Sequence, residues 1–390
     1  MAATNANKRW FLVGALSLAL GVLLLILLPI CGCQRGSESR QPEGAPALDV
    51  NSTNLPRTCV VATLDAPLLP GTNLIWCASF QLAWKEFATA LKQKQPVVES
   101  AETLCGQLNA APDPRPFLPN ANYYAAAGNV ADGIVTHIQQ EMRQKFPAAP
   151  LPDFGPLTIH DLVAYGYLEA NVAFAIPYFN SKQSVDFTDS TGSKMPIKTF
   201  GIRKEDDYAY YSLRHQVEVL FGKDHGLRGG SGEFAVDVCK ESPEIQIVVA
   251  SVEPAGTLAG TLLKIDQLTQ ARPRNQAELH DYYHDFGPND TLLIPEMNWR
   301  ILHHFAELEG HLLANSSRQG QPMTMAVQGI TFRLDRGGAS LSSEAKILVL
   351  PIPTHFEFTK PFLVLLKKRG ASHPFFVAWI DNAELLRRWE

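Results

Sequence analysis

The C-terminal stretch 328–382 constrains the fold of this chain more than any other part of the sequence. It opens with apolar and polar residues in alternation over 330–335, the period of a half-buried strand. It closes with two nearly continuous apolar runs, 361–366 and 374–380, which are separated by the charged residues and glycine of 367–370. Such runs are typical of strands buried on both faces. The sequence therefore predicts one half-buried strand and, at the end of the chain, a buried strand pair joined by a tight turn.

A long segment of unusual composition lies between that first strand and the terminal pair. Gly337 and Gly338 end the alternation, since glycine adopts a positive φ at no steric cost. Small residues follow as far as Ala345, and an apolar, proline-punctuated stretch occupies 347–353. This composition predicts a loop strung between two buried parts of the fold.

The order strand, loop and strand pair resembles the C-terminal part of the serpins, the serine-protease-inhibitor fold. In that family a strand of the large sheet ends in an acidic residue, a glycine and small residues. An exposed reactive loop follows, and then a Phe-x-x-Pro-Phe signature opens two core strands. Asp335 and Gly337 match the first feature, and Phe358, Pro361 and Phe362 match the signature. The resemblance implies an α+β fold with large mixed or antiparallel sheets, helices packed on them, and an exposed loop.

The resemblance also implies a mechanism that needs no catalytic residue and no cofactor, so the protein is expected not to be an enzyme. A protease cleaves the loop, the N-terminal half of the loop inserts into the large sheet as a new strand, and the attached protease is distorted. The hinge of this movement corresponds to Gly337, Gly338, Ala339, Ser340, Leu341 and Ser342. The scissile region corresponds to Leu348, Val349, Leu350 and Pro351. These apolar residues imply an extracytoplasmic serine protease of the elastase, chymotrypsin or subtilisin type as partner.

Insertion requires small or apolar side chains at every second position of the loop, because alternate residues of a strand face inward. Counting from Gly337 as in the family turns Glu344 and Lys346 inward. If the register shifts by one residue, the other set of alternate residues faces inward. This set starts at Ala339, and all its members are apolar except Ser343. An unpaired buried charge costs several kcal/mol. If insertion occurs, we therefore expect the second set to face inward.

The N-terminus carries a membrane-targeting pattern. Two basic residues, Lys8 and Arg9, precede an uncharged apolar run, 10–31, that is long enough to span a bilayer. One interpretation is an uncleaved transmembrane signal anchor with its N-terminus in the cytoplasm. The other is a lipoprotein signal in which Cys33 is lipidated. The length of the run favours the anchor.

Either interpretation predicts a domain held at the cell membrane on its extracytoplasmic side. The anchor or signal occupies 1–33, a polar linker with few apolar groups occupies 34–58, and the folded domain occupies 59–390. The net charge of −5 offers no field for nucleic acid, so no nucleic-acid partner is expected.

The domain contains Cys59, Cys77, Cys105 and Cys239. They permit two disulfides in any of three pairings, or they are small buried apolar residues.

The rest of the chain predicts a mixed order of elements without regular βαβ alternation. Helices are expected over 73–110, 129–145, 260–270 and 275–286, and strands over 169–179, 208–211, 234–238, 245–250 and 291–295. In serpins a helix led by asparagine carries a Ser-Pro-x-Ser element beneath the gap where the large sheet opens. The matching segment, 73–79, lacks the proline and keeps Ser79 as its one candidate serine.

Two histidine groups have the spacing of a metal site on a helix. His280 and His284 lie in a polar segment that is typical of an exposed helix face. The other group, His303, His304 and His311 with Glu307, has no cysteine or close acidic pair beside it. We therefore predict no metal site.

Overall fold

The structure is a computed structural model that describes most of the chain after residue 47. The described residues are 48–93, 95–203, 210–222, 232–271, 286–287, 290–337 and 355–389. The predicted anchor, including Cys33, lies outside these residues. Among the described helices, none is long and apolar enough to cross a membrane.

Eighteen strands and five helices make up the described fold. The strands are β1 (Leu48–Asn51), β2 (Thr58–Val60), β3 (Asn73–Cys77), β4 (Tyr123–Asn129), β5 (Leu162–Leu168), β6 (Phe179–Asn180), β7 (Val185–Thr188), β8 (Lys194–Ile197), β9 (Thr199–Ile202), β10 (Glu218–Gly222), β11 (Phe234–Asp237), β12 (Ile245–Ser251), β13 (Thr291–Pro295), β14 (Met297–His304), β15 (Val327–Leu334), β16 (His355–Glu357), β17 (Phe362–Lys368) and β18 (Phe376–Ile380). The helices are α1 (Ala78–Ala90), α2 (Glu102–Ala110), α3 (Ile134–Lys145), α4 (Tyr210–Arg214) and α5 (Leu258–Gln270). The expected α+β class is confirmed.

The strands form three larger sheets and two hairpin-like pairs. A seven-stranded sheet has the order β10-β11-β12-β17-β18-β3-β2 and carries most of the core. A four-stranded sheet has the order β16-β13-β9-β6, and a three-stranded sheet has the order β1-β14-β15. Strand β4 pairs only with β5 among the described strands, and β7 with β8.

The predicted terminal strand pair is confirmed. Strands β17 and β18 are antiparallel, with Phe362 opposite Ile380 and Leu366 opposite Phe376. Every residue of β18 is buried, because the pair lies in the middle of the seven-stranded sheet. Gly370 supplies the positive φ of the predicted tight turn between the two strands.

A buried polar cluster ties the end of β18 to the start of β3. The side-chain oxygen Oδ1 of Asn73 accepts hydrogen bonds from the backbone N–H groups of Asp381 at 2.8 Å and Asn382 at 2.9 Å. The carboxylate of Asp381 in turn accepts from the backbone N–H groups of Gly71 and Ser190. Buried polar groups with partners on several elements specify one arrangement of those elements. The cluster therefore fixes β18 against β3 and against the hairpin β7–β8.

Asp189, at the tip of that hairpin, is held as a carboxylate. Burial alone raises the pKa of its carboxyl group, but hydrogen bonds from Thr191 and Ser193 and the nearby Arg57 guanidinium outweigh burial and lower the pKa to about 2. The Arg57–Asp189 ion pair, at 2.8 Å, also joins the hairpin to the segment that leads into β2. This pair is a second tie between the hairpin and the seven-stranded sheet.

The predicted helix over 73–110 is wrong in its first part. Residues Asn73–Cys77 form the buried strand β3, which lies between β18 and β2, and the helix α1 begins only at Ala78. A second helix, α2, covers the C-terminal part of the predicted range. A short apolar run buried on both faces has no period that separates a strand from a helix. Only its pairing with β18 and β2 makes this run a strand.

The predicted strands at 169–179 and 208–211 are also wrong. Strand β5 ends at Leu168, and the following segment does not enter a sheet until Phe179. Its backbone groups have other partners, since the N–H and C=O groups of Ile176 both bond to the side chain of Gln216. The described part of 208–211 belongs to the short helix α4. The helix predicted over 275–286 lies almost wholly outside the described residues, whereas α3, α5 and the strands β11, β12 and β13 are confirmed.

The histidines at 303 and 304 lie on a strand, β14, and not on a helix as the spacing suggested. Their side chains therefore point to opposite faces of the sheet. His303 contacts the hydroxyl of Ser52 at 2.8 Å, and His304 contacts Glu309 at 3.0 Å. Within the described part of the chain, no group of three His, Cys, Asp or Glu residues is arranged to hold a metal ion. His280 and His284 lie outside that part.

The four cysteines of the domain are free thiols. Cys77, Cys105 and Cys239 are buried, as the interpretation of small apolar residues requires, and Cys59 is exposed. Burial raises the pKa of the Cys239 thiol to about 12. The alternative of two disulfides does not hold for these four residues.

The folded chain starts earlier than the predicted linker boundary. Residues Leu48–Asn51, which the sequence places in the linker, form β1 and pair in parallel with β14. The Ser52–His303 contact follows directly after this pairing. The outer edge of β14 is therefore covered by the chain's own N-terminal segment.

Candidate functional site

The candidate site is a slot between the unpaired edges of β5 and β15. Strand β15 pairs with β14 on one side, and β5 pairs with β4 on one side. Among the described residues, no backbone hydrogen bond joins β5 to β15. Each of the two strands therefore has one edge without a partner among the described strands. Such an edge offers a row of N–H and C=O groups to an added strand.

Helix α1 forms the floor of the slot through Ser79. On one side, the side-chain amide of Gln328 in β15 donates to the hydroxyl of Ser79 at 2.8 Å and to the carbonyl of Cys77 at 3.0 Å. On the other side, β5 lies so close that a Cβ atom on Gly166 would be 2.3 Å from the carbonyl oxygen of Ser79. Ser79 therefore contacts both strands.

The side-chain oxygen of Gln328 is buried and has no hydrogen-bond partner among the described residues. Leaving such an acceptor unsatisfied costs about 1–3 kcal/mol. Gln328 is also the one polar residue in the inward-facing row of β15, where Ile330, Phe332 and Leu334 are buried. Gln328 was not among the predicted site residues, although a polar side chain in an apolar row is a sequence signal that marks such a position.

We expect Gly166→Ala to destabilise the protein by about 2–4 kcal/mol. A methyl group at this position would overlap the backbone of α1, so β5 would have to move away from the helix. Urea denaturation measures the free energy of unfolding. Gly106→Ala is the matched control, since nothing lies within 4 Å of a Cβ atom there and alanine favours the helix α2. Equal stabilities of the two variants would contradict the close contact between β5 and α1.

The segments that follow β5 and β15 close one end of the slot, which we call the hinge end. The backbone N–H of Phe174 donates to the carbonyl of Gly337 at 3.3 Å, and that of Tyr178 donates to the carbonyl of Arg336 at 3.1 Å. Arg336 Nε donates to the carbonyl of Tyr178 at 2.8 Å. The hydroxyl of Tyr178 donates to the carbonyl of Val238, and burial raises the pKa of this phenol well above its usual value. The hinge end is thus anchored to the seven-stranded sheet.

The opposite end, which we call the far end, is closed by Arg318. This residue lies in the connection between β14 and β15. Its guanidinium donates to the carbonyl of His160 and to Oδ1 of Asn129, both at 2.7 Å. These partners flank the pair β4–β5, so Arg318 joins the connection between β14 and β15 to that pair. No sequence pattern indicated this role.

Gly337 is the described residue of the predicted hinge. The other hinge residues, Gly338, Ala339, Ser340, Leu341 and Ser342, lie outside the described residues, as does the predicted scissile region Leu348, Val349, Leu350 and Pro351. The structure thus describes the chain up to Gly337, just after β15, and again from His355, where β16 begins.

After the residues of the predicted loop, the described chain begins again with β16 and the Phe-x-x-Pro-Phe signature. Strand β16 pairs in parallel with β13, and the backbone N–H of Phe358 donates to the carbonyl of Leu293 at 3.0 Å. The rings of Phe358 and Phe362 are buried, with their centroids 5.6 Å apart. Pro361 lies between them and directly precedes β17. The signature therefore anchors the returning chain in the core where the seven-stranded sheet takes up β17.

Comparisons with known proteins give structural neighbours but no sequence match. No family model and no curated protein matches this chain. Native protease nexin-1, solved with heparin, is similar over 80% of this chain and 92% of that chain, at 9% identity and a TM-score of 0.42. The thermophilic serpin tengpin in its native state is similar over 85% and 99%, at 9% identity and a TM-score of 0.44. Human glycosylated kallistatin is similar over 80% and 92%, at 12% identity and a TM-score of 0.44. With TM-scores below 0.5, these likenesses assign neither a family nor a function to the chain.

Proposed function

We propose that this chain is a serpin-like inhibitor of serine proteases that acts by cleavage of the loop 338–354 and insertion of its N-terminal half into the slot. The observation that carries the proposal is the slot itself. Its two edges belong to β5 and β15, and the loop starts directly beside its hinge end, at Gly337. A non-catalytic protein that accepts one of its own segments as a strand needs this arrangement.

The directions of the two strands suit such an insertion. Both β5 and β15 run toward the hinge end, because the segments that follow them meet there, so the two strands are parallel to each other. A chain that turns back at Gly337 runs antiparallel to both. It can therefore form antiparallel ladders along both edges at once.

The burial pattern of β15 supports the rule for inward-facing loop residues. Gln328, Ile330, Phe332 and Leu334 are buried, and the residues between them are exposed. Residues directly opposite one another on adjacent strands share a face of the sheet. Every second residue of an inserted strand therefore enters the same apolar layer, where a charge without a partner is costly.

The proposal includes a membrane tether on the extracytoplasmic side, supported by the basic residues and the apolar run in the sequence before residue 34. The folded domain shows where the chain enters it relative to the end of β15. Leu48 is opposite Trp299 near the start of β14, and Met297 is opposite Leu334 at the end of β15. The chain thus enters the domain at the same end of the sheet from which the loop leaves.

Incubation with a panel of serine proteases tests the proposal. We expect an elastase-, chymotrypsin- or subtilisin-like enzyme to form an adduct with the chain that survives denaturant and gel electrophoresis, because the acyl-enzyme is trapped when the loop inserts. A trypsin-like protease is the control, since the predicted scissile region 348–351 contains no lysine or arginine and Lys346, the one basic residue of 338–354, lies outside that region. Cleavage of the loop by every protease without any adduct would overturn the inhibitory function.

A second candidate is a non-inhibitory binding or structural protein of the cell envelope with the same fold. It is favoured by the early end of β5 at Leu168, since the next ten residues contribute no ladder along the slot. The side chain of Gln216 holds Ile176 in this irregular segment. A shorter ladder gives an inserted strand less stabilisation and a weaker trap for a protease.

A further inference from the structure

Arg318 makes three side-chain hydrogen bonds, and two of them span the far end of the slot. One nitrogen donates to the carbonyl of His160 at 2.7 Å and to the side-chain oxygen of Gln321 at 3.0 Å. The other nitrogen donates to Oδ1 of Asn129 at 2.7 Å. Hydrogen bonds from a charged donor are stronger than those between neutral groups. A single side chain therefore connects the β14–β15 connection to the pair β4–β5.

The acceptors on the β4–β5 side are held in place. Asn129 is the last residue of β4, and its side-chain N–H group donates to Asp132 at 2.8 Å, which turns its oxygen toward Arg318. The carbonyl of His160 lies just before β5, and the neighbouring Asp161 accepts from the backbone of Val130 at 2.9 Å. These bonds fix both acceptors relative to the two strands.

Arg318 itself belongs to a tight turn on the other side of the slot. Its backbone N–H donates to the hydroxyl of Ser316, and its carbonyl accepts from Gln321, both at 3.1 Å. The turn is tied to the chain after α1, because Asn315 accepts from the backbone of Val97 at 2.8 Å and donates to the carbonyl of Gln95 at 2.9 Å. Arg318 therefore projects from a rigid base and is not a freely moving surface side chain.

We infer that Arg318 is a latch that holds β5 and β15 together at the far end and slows insertion of the loop. This inference rests on the proposed function. A new strand needs about 4.8 Å of space on each of its sides. The bonds from Arg318 to His160 and Asn129 oppose that separation, because they join the connection that leads into β15 to the pair β4–β5.

The test is the rate at which the nicked chain becomes heat-resistant, measured after a brief protease pulse. We expect Arg318→Gln to increase this rate about tenfold, the effect of losing one to two charge-assisted bonds from the barrier. Arg318→Lys keeps the charge but not the fork of donors, so an intermediate rate is expected. Arg300→Gln is the matched control, since Arg300 is exposed on the outer face of β14 and pairs only loosely with Asp49, at 3.8 Å. Its rate should equal that of the unchanged protein.

A second measurement separates a latch from general stabilisation. If Arg318 is a latch, Arg318→Gln lowers the melting temperature of the intact protein but leaves that of the nicked protein unchanged. In the nicked protein the inserted strand has already broken the bonds of Arg318, so the substitution removes nothing further. Asn129→Ala should give a smaller rate increase, and in combination with Arg318→Gln it should add little. An equal loss of stability in the intact and nicked forms, or an unchanged rate, overturns the latch. If the nicked unchanged protein gains no heat resistance, the proposed function itself fails.

Discussion

Cleavage of the loop near Val349–Leu350 will raise the melting temperature of the protein by roughly 20 °C. The freed N-terminal half of the loop can then enter the slot and pair with both β5 and β15. We expect roughly ten new backbone hydrogen bonds at about 1 kcal/mol each. A domain of this size gains about 2 °C in melting temperature per kcal/mol, which gives the rise of roughly 20 °C. Burial of the small and apolar loop side chains adds to it.

The measurement is a pair of thermal unfolding scans by circular dichroism, before and after limited proteolysis, with the cut position read by mass spectrometry. Protein incubated with the inactivated protease is the control. A nicked chain that melts at or below the temperature of the intact chain contradicts insertion. The non-inhibitory binding protein would then be the better interpretation.

Replacing Ile347 with aspartate will stall insertion, whereas replacing Lys346 with aspartate will not. The register that turns Ala339 inward also turns Ile347 inward, and a carboxylate there enters the layer formed by the buried row of β15, which runs from Gln328 to Leu334. An unpaired buried charge costs several kcal/mol, enough to abolish most of the gain from pairing. The nicked Ile347→Asp variant should therefore lose most of the rise in melting temperature.

Lys346→Asp is a matched control, because it places the same side chain one position away on the opposite face of the inserted strand. Both variants should be cleaved at the same rate, which checks that the loop remains accessible. If Lys346→Asp stalls insertion and Ile347→Asp does not, the register counted from Gly337 is correct and the shifted one is wrong. If both variants stall insertion, the part of the loop around residues 346 and 347 does not enter the slot in a single register.

Parts of the fold could be predicted from sequence where burial is visible residue by residue. The alternation of Ile330, Phe332 and Leu334 shows which face of β15 is buried, and the continuous runs of β17 and β18 show burial on both faces. Strand β3 could not be distinguished from the start of a helix, because five consecutive buried residues have no period. The apolar segment 169–179 was wrongly predicted as a strand for a related reason. Its backbone N–H groups donate to Gly337 and to the side chain of Gln216, and not to a neighbouring strand.

The candidate site depended on contacts that join distant parts of the chain. Ser79 and Gln328 are far apart in sequence, and their hydrogen bond arises only because α1 passes under both strands. Gly166 has no distinguishing sequence context, yet it alone allows β5 to touch the backbone of α1. Arg318 is one basic residue among many until its guanidinium is seen to reach Asn129 and His160.

The sequence by itself determined the order of a half-buried strand, a long loop and a buried terminal pair. It did so because side chains record which face of a strand is covered. Only the tertiary structure decided that β5 and β15 keep an unpaired edge toward each other, with Ser79 beneath them. The physical reason is that a strand pairs through backbone N–H and C=O groups. These groups are the same for almost every residue, so the side chains do not specify the neighbour at its edge.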